Sequence, residues 1–112
     1  MTLTDATRAQ IQHRFDRAVN MTAQRIAAWL RTPESKSVGF RRPGARESVG
    51  RQSARKIIRL LKQGPQTEAD YKHMAKVSGY VARHLAQRPA GDVSATHWRY
   101  SLMNWGHDPL RG

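Results

Sequence analysis

The most regular feature of the sequence is the apolar spacing between Thr67 and Gln87. Apolar side chains recur there every three or four residues, at Tyr71, Met74, Val77, Val81 and Leu85. This spacing places them on one face of an α-helix, because each residue turns the helix by about 100°. Thr67 and Asp70 form the pattern of a capping box at its start. The segment therefore predicts a long amphipathic helix that must pack against other elements.

Shorter segments show the same period. They predict one helix from Asp5 to about Val19 and a second that starts at Thr22 and stops at Thr32-Pro33. They also predict a third that opens at Ser48 or Gly50 and ends at Gly64, and a last short one capped by Asp92 or Ser94. No segment has the alternation of a strand. We predict an all-α fold: a compact single-domain bundle of four to five helices over residues 1–112.

Residues 34–50 interrupt this pattern. They contain three Gly, one Pro and three Ser, and their apolar residues show no helical or strand period. The segment predicts a long Gly/Ser/Arg-rich loop. Because compact domains usually connect helices with about two to eight residues, we expect this loop to be functional or mobile and to lie beside the helix that follows it.

Positive charge is concentrated in and after this loop. The chain has a formal net charge of +12, and residues 36–62 hold nine of its 20 Lys and Arg but one of its eight Asp and Glu. Such a field attracts polyanions. The candidate nucleic-acid-binding residues are Lys36, Arg41, Arg42, Arg46, Arg51, Arg55, Lys56, Arg59 and Lys62.

Helical geometry places four of these cations, Arg51, Arg55, Arg59 and Lys62, within about 80° of one another, beside an apolar face. The planar fork of Arg suits phosphate oxygens, and a Gly-rich loop before a helix can offer backbone amides to a phosphate. We predict binding of double-stranded DNA with low sequence specificity. An adaptor that binds an acidic protein, an RNA-binding protein, and a site on the Lys72, Lys76 and Arg83 face are the alternatives.

Several other classes of function find no support in the sequence. There is no Cys, the spacing from Gly44 to Gly50 does not fit a P-loop, and the five His show no metal-ligand spacing. We therefore expect no metal, no cofactor and no enzymatic activity. Stacking, capping or buried hydrogen bonding is the expected role of His73 and His84.

The chain has no apolar run long enough for a membrane span, and Met1–Asp5 lacks the pattern of a signal peptide. The expected location is the cytoplasm, with association to the nucleoid in a bacterium.

Aromatic residues cluster near the C-terminus. Trp98, Leu102 and Trp105 follow helical spacing. The spacing favours burial of Trp98 and Trp105 in the core over a platform that stacks on bases, whereas Tyr100 fits either role.

Five blocks of the sequence resemble a known family. They are residues 32–39, 47–51, 73–77, 80–89 and 98–110. In them the chain is similar, from about residue 19 onward, to the DUF3140 family, a small bacterial and fungal family of unknown function. Some members carry the label DNA-binding protein, so the resemblance favours DNA over RNA as the partner and implies no particular site residue.

Overall fold

The computed structural model describes residues 2–111, and the regular secondary structure in that range consists of helices, with no strand. The helices are α1 (Asp5–Ala18), α2 (Ala23–Leu30), α3 (Pro33–Lys36), α4 (Val49–Gln63), α5 (Glu68–Leu85) and α6 (His97–Asn104). None of these helices is long and apolar enough to cross a bilayer. The all-α prediction is confirmed, with six helices described instead of four to five.

A Ser or Thr caps the start of each of these six helices. In each case its side-chain oxygen accepts a hydrogen bond from a backbone N–H one turn into the helix. The caps are Thr4, Thr22, Thr32, Ser48, Thr67 and Thr96. The predicted capping box of Thr67 and Asp70 is confirmed.

Two predicted boundaries are wrong. The loop does not begin at residue 34, because Pro33 occupies the first turn of α3, where its missing N–H costs nothing. The cap of α6 is Thr96 and not Asp92 or Ser94, because the Asp92 carboxylate instead accepts the backbone N–H of Ser94 in a local turn.

Helix α6 lies at the centre of the fold. Helix α1 packs along α5 and α2 packs along α4, while α6 contacts α2, α3, α4 and α5. The largest fully buried apolar side chains of five of the helices are Phe15, Ile26, Ile57, Met74 and Leu102. The short sixth helix therefore joins two helix pairs into one core.

A ladder of nearly parallel rings runs between α5 and α6. It contains, in spatial order, His73, Trp105, Tyr80, His84 and Trp98, and neighbouring rings are tilted by only 14–19°. The closest pair is Tyr80 and Trp105, with ring centroids 4.2 Å apart. Both Trp side chains are buried, as predicted, and His73 and His84 have the predicted stacking role. The ladder fixes α6 against one face of α5.

Buried polar side chains join α2, α3 and α6 beside this ladder. The Asn104 Oδ1 accepts hydrogen bonds from the Trp29 indole N–H at 2.7 Å and from the Ser35 hydroxyl at 2.6 Å. The Asn104 amide in turn donates to the Ser35 carbonyl oxygen at 3.1 Å. Because buried polar groups are costly when unpaired, this network specifies where α3 sits.

Candidate nucleic-acid interface

The connection between α3 and α4 is held against the start of α4. The Phe40 carbonyl oxygen accepts the backbone N–H of Val49 at 2.8 Å, and the Arg42 carbonyl accepts that of Ala45 at 3.0 Å. Gly39 has a φ of +95°, a conformation that side chains with a Cβ rarely adopt. These contacts fix the backbone conformation of the segment that carries the cationic side chains of the loop.

The loop encloses a cavity of about 620 Å³, which we call the basic hollow. Its walls include Lys36, Gly39, Arg41, Arg46, Glu47 and Arg51. Four cationic residues and one carboxylate therefore line the same space, and three of the four, Lys36, Arg41 and Arg46, are exposed. Loop and helix residues that are distant in sequence share one wall, which the charge count alone could not show.

Arg51 differs from the other eight candidates because it is buried, with 6% of its surface exposed. Its Nη1 donates to the Leu30 carbonyl oxygen and to the Ser35 hydroxyl, each at 2.8 Å. The prediction that Arg51 lies on an exposed cationic face is wrong. Its guanidinium satisfies the last carbonyl oxygen of α2 and extends the Asn104 network.

Arg55 is 57% exposed but is paired with Glu47. Its Nε donates to the Glu47 Oε2 at 2.9 Å, and Arg51 donates to the other oxygen of the same carboxylate at 3.1 Å. The hydrogen bond from Arg55, reinforced by Arg51, lowers the pKa of Glu47 to about 2. The carboxylate is therefore ionised at neutral pH and offsets part of the local positive charge.

Arg59 is paired in the same way, with Asp70 of α5. Its Nη2 donates to the Asp70 Oδ1 at 2.7 Å, while the other carboxylate oxygen accepts the Gln66 N–H at 2.8 Å. The Arg59 hydrogen bond, followed by that from Gln66, lowers the pKa of Asp70 to about 2. Arg59 is still 42% exposed, so one side of its guanidinium faces solvent.

Six candidate cations are exposed and take part in none of the ion pairs formed within residues 2–111. They are Lys36, Arg41, Arg42, Arg46, Lys56 and Lys62. Four of them belong to the loop or its edge. The charge available to a ligand is thus concentrated more in the loop than on the helix stripe that the sequence predicts.

The backbone amides at the start of α4 are largely occupied. The Val49 N–H donates to Phe40 and the Arg51 N–H donates to the Ser48 hydroxyl. These two amides are therefore not available to a phosphate, and the use of backbone amides in the loop ahead of α4 stays a prediction.

A second cavity, of about 330 Å³, adjoins the basic hollow at Gly39, which lines both. We call it the aromatic cleft, and its walls include Phe40, Gly50, Lys76, Tyr80, Arg83 and Trp105. Phe40 is 68% exposed. The sequence did not predict this cleft, although an unpaired Phe within a cationic loop was a signal for it.

Ser53 and His73 form a hydrogen bond, with Oγ and Nε2 2.9 Å apart. Burial, followed by the nearby charge of Lys56, lowers the pKa of His73 to about 4. Ser53 is only 2% exposed and His73 is half-buried, so the Ser53 hydroxyl is closed to solvent. Within residues 2–111, no three His, Asp or Glu side chains are grouped as metal ligands.

Comparison with protein-family models identifies the family of this chain. The family model described as protein of unknown function (DUF3140) matches residues 14–103. The chain belongs to the DUF3140 family. The match includes α2 to α5, the basic loop and nearly all of α6, so it covers every residue of the basic hollow and, apart from Asn104 and Trp105, those of the aromatic cleft. Comparisons with curated proteins and with solved structures found no significant match.

Proposed function

We propose that this DUF3140 protein binds double-stranded DNA with low sequence specificity, mainly through phosphate contacts. The observation that carries the proposal is the group of six exposed cations without an ion-pair partner in residues 36–62. A phosphate backbone supplies closely spaced negative charges, and proteins that bind it without reading bases use this kind of surface.

The loop and the exposed face of α4 have different roles in this proposal. Lys36, Arg41 and Arg46, which line the basic hollow, would contact phosphates together with Arg42. Lys56 and Lys62 would extend the contact along α4, while Arg55 and Arg59 would contribute less because each already neutralises a carboxylate. Arg51 would hold the scaffold and touch no phosphate.

Salt dependence of the wild-type protein tests the proposal. A fluorescent duplex of mixed sequence would be titrated at salt concentrations between 50 and 200 mM, chosen because phosphate contacts weaken strongly over that range. Five or six contacts predict a slope of log K against log salt of about -5. Absence of binding at the lowest salt, or binding indifferent to salt, would refute it.

Competition experiments separate the proposal from its rivals. Single-stranded DNA and structured RNA of equal length would compete with the labelled duplex, and an RNA-binding protein would prefer the RNA. An adaptor for an acidic protein would retain its partner after nuclease treatment of the extract. We also propose that the protein acts in the cytoplasm, and on the nucleoid if it is bacterial.

We also propose that the protein is not an enzyme. The pair of Ser53 and His73 supports this view, because a nucleophile and base need access to substrate and Ser53 is enclosed by the core. The other His of α5, His84, lies in the ring ladder between Tyr80 and Trp98.

A further inference from the structure

The aromatic cleft is lined mainly by apolar and aromatic groups, which phosphate binding does not require. Its walls are largely apolar and aromatic, contributed by Phe40 of the loop, Tyr80 of α5 and Trp105 at the C-terminal cap of α6. Two cations, Lys76 and Arg83, stand on its α5 side and are exposed. Its volume of about 330 Å³ lies near the lower end of the range for small-ligand sites.

The walls of the cleft are held in place before any ligand enters. Tyr80 stacks on Trp105 at 4.2 Å, and both belong to the ring ladder that fixes α6. Phe40 is attached to α4 through its carbonyl oxygen, which accepts the Val49 N–H. Gly50 allows α4 to approach closely, since a Cβ there would stand 3.0 Å from the Trp105 Nε1. Because the ladder already covers the faces of Tyr80 and Trp105, these rings offer their edges to the cleft, and the exposed Phe40 ring offers the face on which a planar group can stack.

The position of the cleft relative to the basic hollow indicates which planar group fits. Gly39 lines both cavities, so the two are neighbours along the same short segment of loop. A ligand that fills both must join a planar apolar group to an anionic chain. A nucleotide within a nucleic-acid strand has this construction, with its base beside its phosphates.

We infer that the aromatic cleft binds one unpaired base of a DNA strand whose phosphates contact the basic hollow. This inference rests on the proposed DNA binding and specifies the preferred form of DNA. A base inside an intact duplex is stacked and paired on both sides and must first be extruded, whereas a bulged base has already lost its pairing. The protein would therefore prefer duplexes that contain an unpaired base.

The test compares two duplexes of the same sequence and length, one fully paired and one with a single bulged adenine. Anisotropy titrations at one salt concentration give Kd for each. The bulged duplex is expected to bind about tenfold more tightly, because stacking of one base on aromatic side chains has an effect of this order. The slope against salt should be nearly the same for both duplexes, since the phosphate contacts are shared.

A matched pair of variants assigns the effect to the cleft. Phe40→Ala removes an exposed ring from the cleft, and Leu110→Ala removes an exposed apolar side chain near the C-terminus. Both should keep the wild-type melting temperature. Phe40→Ala should retain binding to the paired duplex and lose the preference for the bulge, and Leu110→Ala should retain both.

Three other outcomes would overturn the inference. Equal affinity for the two duplexes, with the expected salt slope, would remove the base site and leave the proposed function standing. Absence of binding to either duplex would refute both the base site and the proposed DNA binding. Free deoxyadenosine monophosphate that competes at the same concentration as the bulged duplex would show a mononucleotide site that does not depend on a DNA strand.

Discussion

The Nη1 of Arg51 and the Oγ of Ser35 lie 2.8 Å apart in the interior, at the point where α3 and α4 meet. This contact joins an arginine of the most cationic segment to the network centred on Asn104. The cationic side chains of this segment therefore have two roles: the Arg51 guanidinium stabilises the fold, and the other cationic groups remain at the surface.

We predict that Arg51→Gln lowers the free energy of unfolding by about 3 kcal/mol, because it leaves buried groups of Leu30 and Ser35 unpaired. Arg41→Gln, the exposed control, should change stability by no more than about 0.5 kcal/mol. Urea denaturation measures both values. A stable Arg51→Gln protein with a reduced salt slope for DNA would instead place Arg51 at the phosphate interface.

Removing the carboxylate of Glu47 should strengthen DNA binding. In Glu47→Gln, Arg55 is no longer paired with an anion and becomes available to a phosphate. The slope of log K against log salt should become more negative by about 0.9, the effect of one added contact. The control Glu34→Gln removes the same charge from an exposed residue of α3 that has no ion-pair partner within residues 2–111.

The matched pair separates a local effect from a general one. A slope that changes equally in Glu47→Gln and Glu34→Gln would show that only net charge matters. Weaker binding of Glu47→Gln would show that the pair of Glu47 and Arg55 holds the interface in its binding conformation.

Acid should destabilise the protein from about pH 6.5 downward, the ordinary pKa of His. Burial lowers the pKa of His73 to about 4, so the unfolded chain binds more protons than the folded one between these values. The stability that neutral His73 contributes is present above pH 6.5 and is lost as the pH falls toward 4. In His73→Gln, the melting temperature should depend less on pH across this window.

The matched control for this experiment is His13→Gln, which changes an exposed residue of α1. It should leave the pH dependence of the melting temperature as it is in the wild type. An unchanged pH dependence in His73→Gln would mean that His73 is as hydrated in the folded protein as in the unfolded chain.

Local patterns predicted the helices, because caps and apolar spacing act within one or two turns. Thr67 with Asp70 and the stripe of α5 are determined by neighbours in sequence, and so is the burial of Trp98 and Trp105. Whether each arginine is buried or exposed was not predictable in this way. Arg51 and Arg55 lie on one side of the same helix, and only the tertiary positions of Leu30 and Ser35 make one buried and the other exposed.

The aromatic cleft illustrates the same limit. Its walls come from the loop, α4, α5 and α6, so no sequence window contains it. Phe40 was the one local signal, because an aromatic ring among arginines has no partner in its own segment.

The backbone at Gly39 should be important for the shape of both cavities. Gly39 has a φ of +95°, and a Cβ added there would lie 3.1 Å from the Ser48 side chain. Gly39→Ala should lower the free energy of unfolding by about 2 kcal/mol and weaken DNA binding. Gly44→Ala has similar backbone strain, with a φ of +81°, but open space around the new Cβ. Chemical denaturation of the two variants should show the smaller loss for Gly44→Ala.

The most direct test of the central claim is the salt dependence of duplex binding in two charge-reversal variants. Arg41→Glu/Arg46→Glu changes the wall of the basic hollow, and Arg14→Glu/Arg17→Glu makes the same change in net charge on exposed residues of α1. Reversing Arg55 and Arg59 would be less informative, because it would also break their ion pairs with Glu47 and Asp70.

Both double variants should melt at the wild-type temperature. At 50 mM salt, the loop variant should bind a duplex at least about tenfold more weakly than the wild type. Its slope of log K against log salt should be less negative by about 2, whereas the α1 variant should keep the wild-type slope. Equal losses in the two variants, or an unchanged slope in the loop variant, would contradict the account.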